Sequence, residues 1–372
     1  MRVTFVLPPL TFSGGARVVS IYAKALSRNG HEVTLVSTPH PQKTFTAKLK
    51  SFLKTRIWPH DISQPSHLNN QGLNYRVIDE ARPITDNDVP DADVVIATWW
   101  ETAEWVNKLS AKKGEKFYFV QGYEIFDYLP IDRCKATYRM PLHKIVVAKW
   151  LQDIMRNEYE DFDVDLVHNS VDKTQFYAQE RNKQPRPTVG FLFAHAKTKG
   201  VDVTLQAIAE IKKRIPNLRI VSFGAKLPHG TPYWDSSIEF FHTPAQDKIK
   251  DIYAQCDVWL TASRSEGFNL PAMEAMTCRT PIVASDTGWP SEAIENYRNG
   301  MLVPIDDIDA LIEGAFWVLG LDNQQWKEVS EAAYQTVADS SWEKSAALFE
   351  QALLKRIRHK SAINSFPDEA NK

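Results

Sequence analysis

Residues 263 to 276 read Ser-Arg-Ser-Glu-Gly-Phe-Asn-Leu-Pro-Ala-Met-Glu-Ala-Met, which sets Glu266 and Glu274 eight positions apart across the join between a strand and a helix. The strand is the short apolar run from Asp257 to Thr261, of the type buried in a parallel sheet, and Asn269 with Pro271 mark the helix start. Glu266 falls on the loop at the strand's carboxyl end. Glu274 falls in the first turns of the helix, near backbone N–H groups that lack intrahelical partners and attract an anion such as a diphosphate. Two acceptors thus flank an anion site, with Gly267, Phe268, Asn269 and Leu270 between them. In an open α/β sheet ligands collect at the carboxyl ends of the strands, so a nucleotide-linked molecule fits this arrangement better than a metal.

The elements that must position these residues are legible as alternating strand and helix signals, which imply parallel sheets. Val3 to Leu7 reads as a strand, Ala16 to Asn29 as an amphipathic helix ended at Gly30, and His31 to Ser37 as a second strand. Further strands are expected at Asp93–Thr98, Lys116–Val120, Lys144–Ala148 and Asp165–Asn169. The polar, proline-bearing stretch from Lys173 to Pro187 reads as a linker, and a second series follows at Thr188–Phe193, Leu218–Gly224, Ser237–Phe241, Asp257–Thr261 and Thr280–Ala284. At 372 residues the chain is too long for one ordinary core. Two domains are expected, 1–180 and 181–340, with 341–372 as a terminal helix and tail. Gly14 and Gly15, between the first strand and first helix, would let backbone approach a ligand closely. Neither Gly-x-Gly-x-x-Gly nor the phosphate-cradling lysine motif is present.

The Glu-x7-Glu pattern, followed by Thr-Pro-Ile-Val-Ala-Ser-Asp-Thr-Gly-Trp-Pro-Ser-Glu (280 to 292) and Asn299-Gly300, resembles the donor-site signature of retaining family 4 glycosyltransferases. The resemblance implies a GT-B fold, two facing Rossmann-like domains. It implies a nucleotide-sugar donor held by the second, an acceptor held mainly by the first, a last helix (Ser341 to Arg358) crossing back to the first, and no metal or other cofactor. By position, Glu266 would contact the transferred sugar and Glu274 the ribose hydroxyls, while Lys199 and the Gly14–Gly15 loop would face the diphosphate. The implied reaction is a front-face displacement: the nucleoside diphosphate leaves, its oxygen takes the acceptor's proton, and the protein supplies positioning and charge stabilisation.

The chain departs from the family pattern at three places. Where an arginine commonly stands five positions before Lys199-Gly200 it has Ala194, leaving His195 and Lys197 to supply charge or donors without a bidentate fork. Ser170 replaces the glycine of an interdomain Asn-Gly-Val-Asp. After the strand ending at Val120, where many members place a histidine, it has Gln121-Gly-Tyr-Glu124. This Val-Gln-x-Tyr-Glu sequence looks like a subgroup associated with rhamnose-containing polymers, and it puts Gln121 and Glu124 on the sugar or acceptor side. A hexose and a 6-deoxyhexose both remain open, since an amide donates and accepts.

A formal net charge of -2 gives no overall pull toward nucleic acid. Cys134, Cys256 and Cys278 have no metal-ligand or disulfide-framework spacing. With no apolar run reaching the ~18 residues of a membrane span, a cytoplasmic protein is expected. One corner is distinctly basic. Residues 43 to 58 place Phe45, Leu49, Phe52, Leu53 and Ile57 on one helical face, with Lys43, Lys50 and Lys54 elsewhere. Such a helix either packs its apolar stripe on the core or lies on an anionic membrane beside a lipid-linked glycan acceptor. Two other functions suit the same architecture: a nucleotide-sugar epimerase or a sugar phosphorylase, and a catalytically weak glycan-binding partner.

Overall fold

The structure, a computed structural model, describes residues 1–9, 13–40 and 72–364. The basic segment 43–58 lies outside the described residues. The chain divides into two units, the first comprising Met1–Val146, Leu151–Val167 and Ala346–Lys372, the second Val147–Trp150 and His168–Ser345.

The first unit is built on a seven-stranded parallel sheet of β1 (Arg2–Leu7), β2 (Glu32–Ser37), β3 (Asn74–Val77), β4 (Val94–Ala97), β5 (Glu115–Val120), β6 (His143–Val146) and β7 (Val164–Leu166), in spatial order β3-β2-β1-β4-β5-β6-β7. Helices α1 (Gly14–Arg28), α2 (Trp100–Lys108), α3 (Ile131–Thr137) and α4 (Lys149–Tyr159) lie among these strands in the chain. The central strands β1 and β4 are buried throughout except at Arg2, and β4 is wholly apolar, because both faces are covered. The edge strand β3 is mostly exposed and reads Asn-Tyr-Arg-Val, too short and polar to stand out in the sequence. Helix α1 begins two residues earlier than the periodicity implies. The Ser13 hydroxyl accepts from the Ala16 N–H at 3.2 Å, and this cap draws Gly14 and Gly15 into the first turn, where a loop was expected.

The second unit carries a six-stranded parallel sheet of β8 (Thr188–Leu192), β9 (Arg219–Gly224), β10 (Glu239–His242), β11 (Val258–Thr261), β12 (Ile282–Ser285) and β13 (Gly300–Val303), in order β10-β9-β8-β11-β12-β13. Its helices are α5 (Val201–Arg214), α6 (Ile249–Ala254), α7 (Leu270–Thr277), α8 (Pro290–Ala293), α9 (Ile308–Gly320) and α10 (Asn323–Ala338). Val189, Phe191, Leu260 and Val283 of the sheet pack with Leu205 and Ile208 of α5 and Leu311 and Ala315 of α9 in one core. The stretch 173–187, expected as a linker, is tied into this unit. Lys183 Nζ donates to the carbonyls of Leu319 and Leu321, the Arg181 guanidinium lies 4.4 Å over the Trp326 ring, and the buried Asp257 carboxylate accepts from Gln184 and Thr188 N–H at 2.7 and 2.9 Å. The terminal carbonyls of α9 find a cation there, as helix ends require.

The last helix, α11 (Trp342–Asn364), starts in the second unit and from Ala346 onward belongs to the first. Its Phe349 is fully buried, stacked 4.5 Å from Tyr22 and edge-on to Phe119 at 5.2 Å. Glu350 pairs with His31 Nε2 at 2.8 Å and accepts from Asn29. Truncating Phe349 to Ala removes an aromatic plug from a close-packed site and should lower the first unit's stability by about 3–5 kcal/mol. Urea unfolding read by hydrogen exchange in β1 and α1 checks this.

Candidate functional site

In the second sheet the strand order reverses between β8 and β11, which are paired neighbours. A doubly wound sheet opens a crevice at the carboxyl ends of such a pair. The turn after β8 and the loop after β11 meet there. Arg264 N–H donates to the Thr198 carbonyl at 2.7 Å, while the Arg264 guanidinium reaches the Lys197 carbonyl at 2.8 Å, both Asp202 oxygens and Asp306 at 2.6 Å. Gly200 closes the turn with φ +57°, and a Cβ there would sit 1.7 Å from the Ala262 carbonyl oxygen. Only glycine permits both the left-handed backbone and this approach.

The turn delivers Lys199 to Glu266. Lys199 Nζ lies 2.6 Å from Glu266 Oε1, which also accepts from Ser263 Oγ at 2.7 Å. Glu266 is buried to 9 % exposure, whereas the Lys199 side chain keeps 31 %, so the carboxylate is fixed and the ammonium still faces water. The Glu266 N–H donates to Thr287 Oγ1 at 3.2 Å, and Gly288, at φ +72°, passes so close that a Cβ would meet Glu266 Cβ at 2.9 Å. Lys199, Ser263, Glu266, Asn269 and Pro271 line one small pocket with Thr261 and Leu192.

Asn269 precedes α7 in the left-handed region (φ 76°), and its amide donates to Thr261 Oγ1 at 3.1 Å instead of capping the helix. Leu270 opens the helix. Pro271 has no N–H, and Ala272 N–H is taken by the Asn269 carbonyl at 3.1 Å, so this helix end presents fewer amides to an anion than its position suggests. Glu274, in the second turn, is buried and accepts from Tyr253 Oη at 3.0 Å. Phe268 stacks on Trp289 at 5.7 Å, and the Gly267 carbonyl accepts from Trp150 Nε1 at 3.0 Å. His195 Nε2 lies 3.1 Å from the Leu227 carbonyl. Lys197 spends its carbonyl on Arg264, and its ammonium has no partner among the described residues.

The remaining expected residues belong to the first unit. The Gln121 amide lies against Gly15, 3.4 Å from where a Cβ would stand, and its Oε1 is buried without a partner among the described residues. Glu124 is buried, accepting from Trp100 N–H at 2.8 Å and Tyr118 Oη at 3.1 Å, while its own N–H donates to Tyr138 Oη at 2.9 Å. It is an internal brace at the start of α2 and does not lie open to solvent. Burial pushes its carboxyl up to about 8, against the two hydrogen bonds that favour the ionised form.

Sequence reasoning gave no role to Ser263, Arg264, Thr287, Trp150 or Glu292, all of which hold the loops that carry the expected residues. Ser263, Arg264, Thr287 and Glu292 stand inside the quoted stretches 263–276 and 280–292; Trp150 lies far away in the chain and left no local signal. Among the described residues no group of three or more His, Cys, Asp or Glu is arranged to hold a metal, and no helix is long and apolar enough to cross a membrane.

Residues 172–336 match the family model described as Glycosyl transferases group 1. The chain is similar to the D-inositol 3-phosphate glycosyltransferase of Rhodococcus jostii (strain RHA1), 31% identical over 162 residues, 38% of this chain and 36% of the relative. A second such enzyme, from Rhodococcus erythropolis (strain PR4 / NBRC 100887), is 29% identical over 224 residues, 54% of this chain and 49% of its own length. The chain thus spans between a third and a half of these relatives. Among solved structures, a sucrose-phosphate synthase from Thermosynechococcus elongatus superposes with a TM-score of 0.71 at 16% identity, covering 97% of this chain and 100% of that one. Two Rossmann-like units with parallel sheets make the fold GT-B.

Two outcomes test this geometry. Gly200→Ala should cost more than about 3 kcal/mol and disorder the Lys199 turn, read by denaturation and hydrogen exchange. Because Glu124 has its folded pKa raised, its contribution is full below pH 4.5 and is lost as pH rises toward about 8. Glu124→Gln should therefore be near neutral at pH 5 and stabilise the first unit at pH 8.5, measured by urea titration at both pH values.

Proposed function

We propose that the protein is a retaining glycosyltransferase that moves a hexosyl or 6-deoxyhexosyl group from a nucleotide sugar to a glycan or lipid-linked acceptor, without a metal ion. The observation that carries this reading is the buried Glu266 carboxylate held by Lys199 and Ser263 at the carboxyl ends of β8 and β11. A ligand there meets a fixed acceptor suited to sugar hydroxyls and, beside it, a water-facing cation suited to a diphosphate. The family match over residues 172–336 and relatives named glycosyltransferases support the same reading.

In the proposed mechanism the acceptor hydroxyl attacks the anomeric carbon from the face that the diphosphate leaves, and its proton passes to the departing phosphate oxygen. The bond to the acceptor oxygen forms as the bond to the diphosphate breaks, and the configuration is kept. Lys199 turns from Glu266 to the leaving group and neutralises its developing charge. Glu266 orients the sugar hydroxyls and eases positive charge at the anomeric carbon. Glu274 and the amides of Gly267 to Leu270 bind the nucleoside, with His195 and Lys197 beside the phosphates. Arg264 does not replace the arginine missing at Ala194, because Asp202 and Asp306 already engage it. Gly14 and Gly15 are kept for the diphosphate in this proposal, Gln121 and any membrane contact through 43–58 belong to its acceptor half, and Glu124 acts only as an internal brace.

Thermal-shift screening against nucleoside diphosphates and nucleotide sugars in EDTA should give one selective hit, since binding to the folded state raises its stability. With that donor, Glu266→Gln and Lys199→Met should each lower acceptor-dependent transfer by roughly 10²–10³-fold. Turnover without any acceptor would favour an epimerase, and an inverted anomeric signal in the product's NMR spectrum would sink the retaining mechanism.

A further inference from the structure

The chain segment Val147–Trp150 leaves β6 of the first unit and counts with the second, as does His168, just after β7. Trp150 lands on the loop that carries Glu266, and Lys149 and His168 land on Glu292 of α8. Trp150 Nε1 donates to the Gly267 carbonyl at 3.0 Å. Glu292, in α8, accepts from Lys149 N–H at 2.7 Å through one oxygen and from His168 Nε2 at 2.9 Å through the other. The His168 ring lies 6.2 Å from Phe268, which stacks on Trp289, and Trp289 N–H returns to the Phe268 carbonyl at 2.8 Å.

Trp150, His168 and Trp289 touch Gly267–Phe268, which follow Glu266 in the loop before α7, while Glu292 reaches this pair only through His168 and through Lys149, the neighbour of Trp150. Neither residue has a side chain able to fix its own backbone by hydrogen bonding. The hold has to come from outside the loop: Trp150 and Trp289 donate to its carbonyls directly, and Glu292 anchors the residues on either side of that contact, Lys149 and His168.

We infer that Trp150 and Glu292 are positioning residues, which set the donor loop 266–269 by holding the Gly267 carbonyl and tying Lys149 and His168 to α8. The inference rests on the proposed donor site for its catalytic meaning, though the hold itself does not depend on it. An indole ring merely filling space could be replaced by phenyl. An indole that positions the loop through its N–H cannot.

Hydrogen exchange followed by mass spectrometry on the full chain, wild type against Trp150→Phe and the near-isosteric Glu292→Gln, tests the hold directly. Faster exchange confined to residues 263–275 is expected in both variants, with β1 and β8 unchanged. Wild-type exchange in that segment in both variants overturns the inference whatever the activity. With the donor found by thermal shift, Trp150→Phe should raise the donor KM roughly tenfold and leave the acceptor KM unchanged, as loss of one hydrogen bond to a half-buried carbonyl predicts. Equal changes in both constants would make Trp150 a structural residue only. If the wild type binds no nucleotide sugar, the proposed function falls while the exchange measurement still decides the hold.

Discussion

The approach of Gly200 to the Ala262 carbonyl is the contact on which the site depends. It joins the turn after β8 to the loop after β11 at the one place in the second sheet where neighbouring strands send their connections in opposite directions. A Cβ would force the two loops apart, carrying Lys199 away from Glu266. Arg264 then fastens what the glycine allows. Its guanidinium is satisfied by two carboxylates and a carbonyl, so it acts as a rivet and is not available to a ligand. Under the proposed function the cations left for a phosphate are Lys197 and, once it leaves Glu266, Lys199, compact point charges on flexible stems.

The Lys199–Glu266 pair is poor evidence for stability, because desolvating a buried carboxylate offsets much of the attraction. Its geometry makes sense as preorganisation. Ser263 and Lys199 share one oxygen of Glu266, and Gly288 leaves no room for a side chain beside its Cβ, so the carboxylate is fixed before any ligand arrives. The pair is asymmetric in exposure. A buried anion with a partly exposed cation is suited to exchanging partners, since the lysine can leave for a stronger anion while Ser263 continues to satisfy the carboxylate.

The alternating strands were legible because buried parallel strands are continuous apolar runs, and the motif around Glu266 was legible because its residues are close in sequence. The elements that escaped notice had physical reasons to do so. Strand β3 lies at a sheet edge and reads as polar, β13 is four residues beginning with glycine, and the first turn of α1 hides two glycines behind a serine cap. The polar stretch 173–187 has a linker's composition but a packed segment's partners, which sequence pattern cannot reveal. Glu124 shows the same limit. Its neighbours in sequence suggested a ligand contact, whereas Trp100 and Tyr118, which surround it, come from α2 and β5.

Trp150 and Glu292 mark the sharpest form of that limit. Glu292 closes the quoted stretch 280–292, but no spacing joins it to Trp150, from which most of the second unit's sequence separates it. What unites them is the shape of the chain trace: an excursion of four residues, Val147–Trp150, placed among the elements of the second unit. An excursion so short buries only Val147 and Ala148, and hydrogen bonds to what it meets fix the rest. Glu292 and the Gly267 carbonyl are those partners, and Gly267 follows the proposed sugar contact Glu266 directly. The same bonds that satisfy the excursion therefore fix the loop, so the path of the backbone and the geometry of the site are a single constraint.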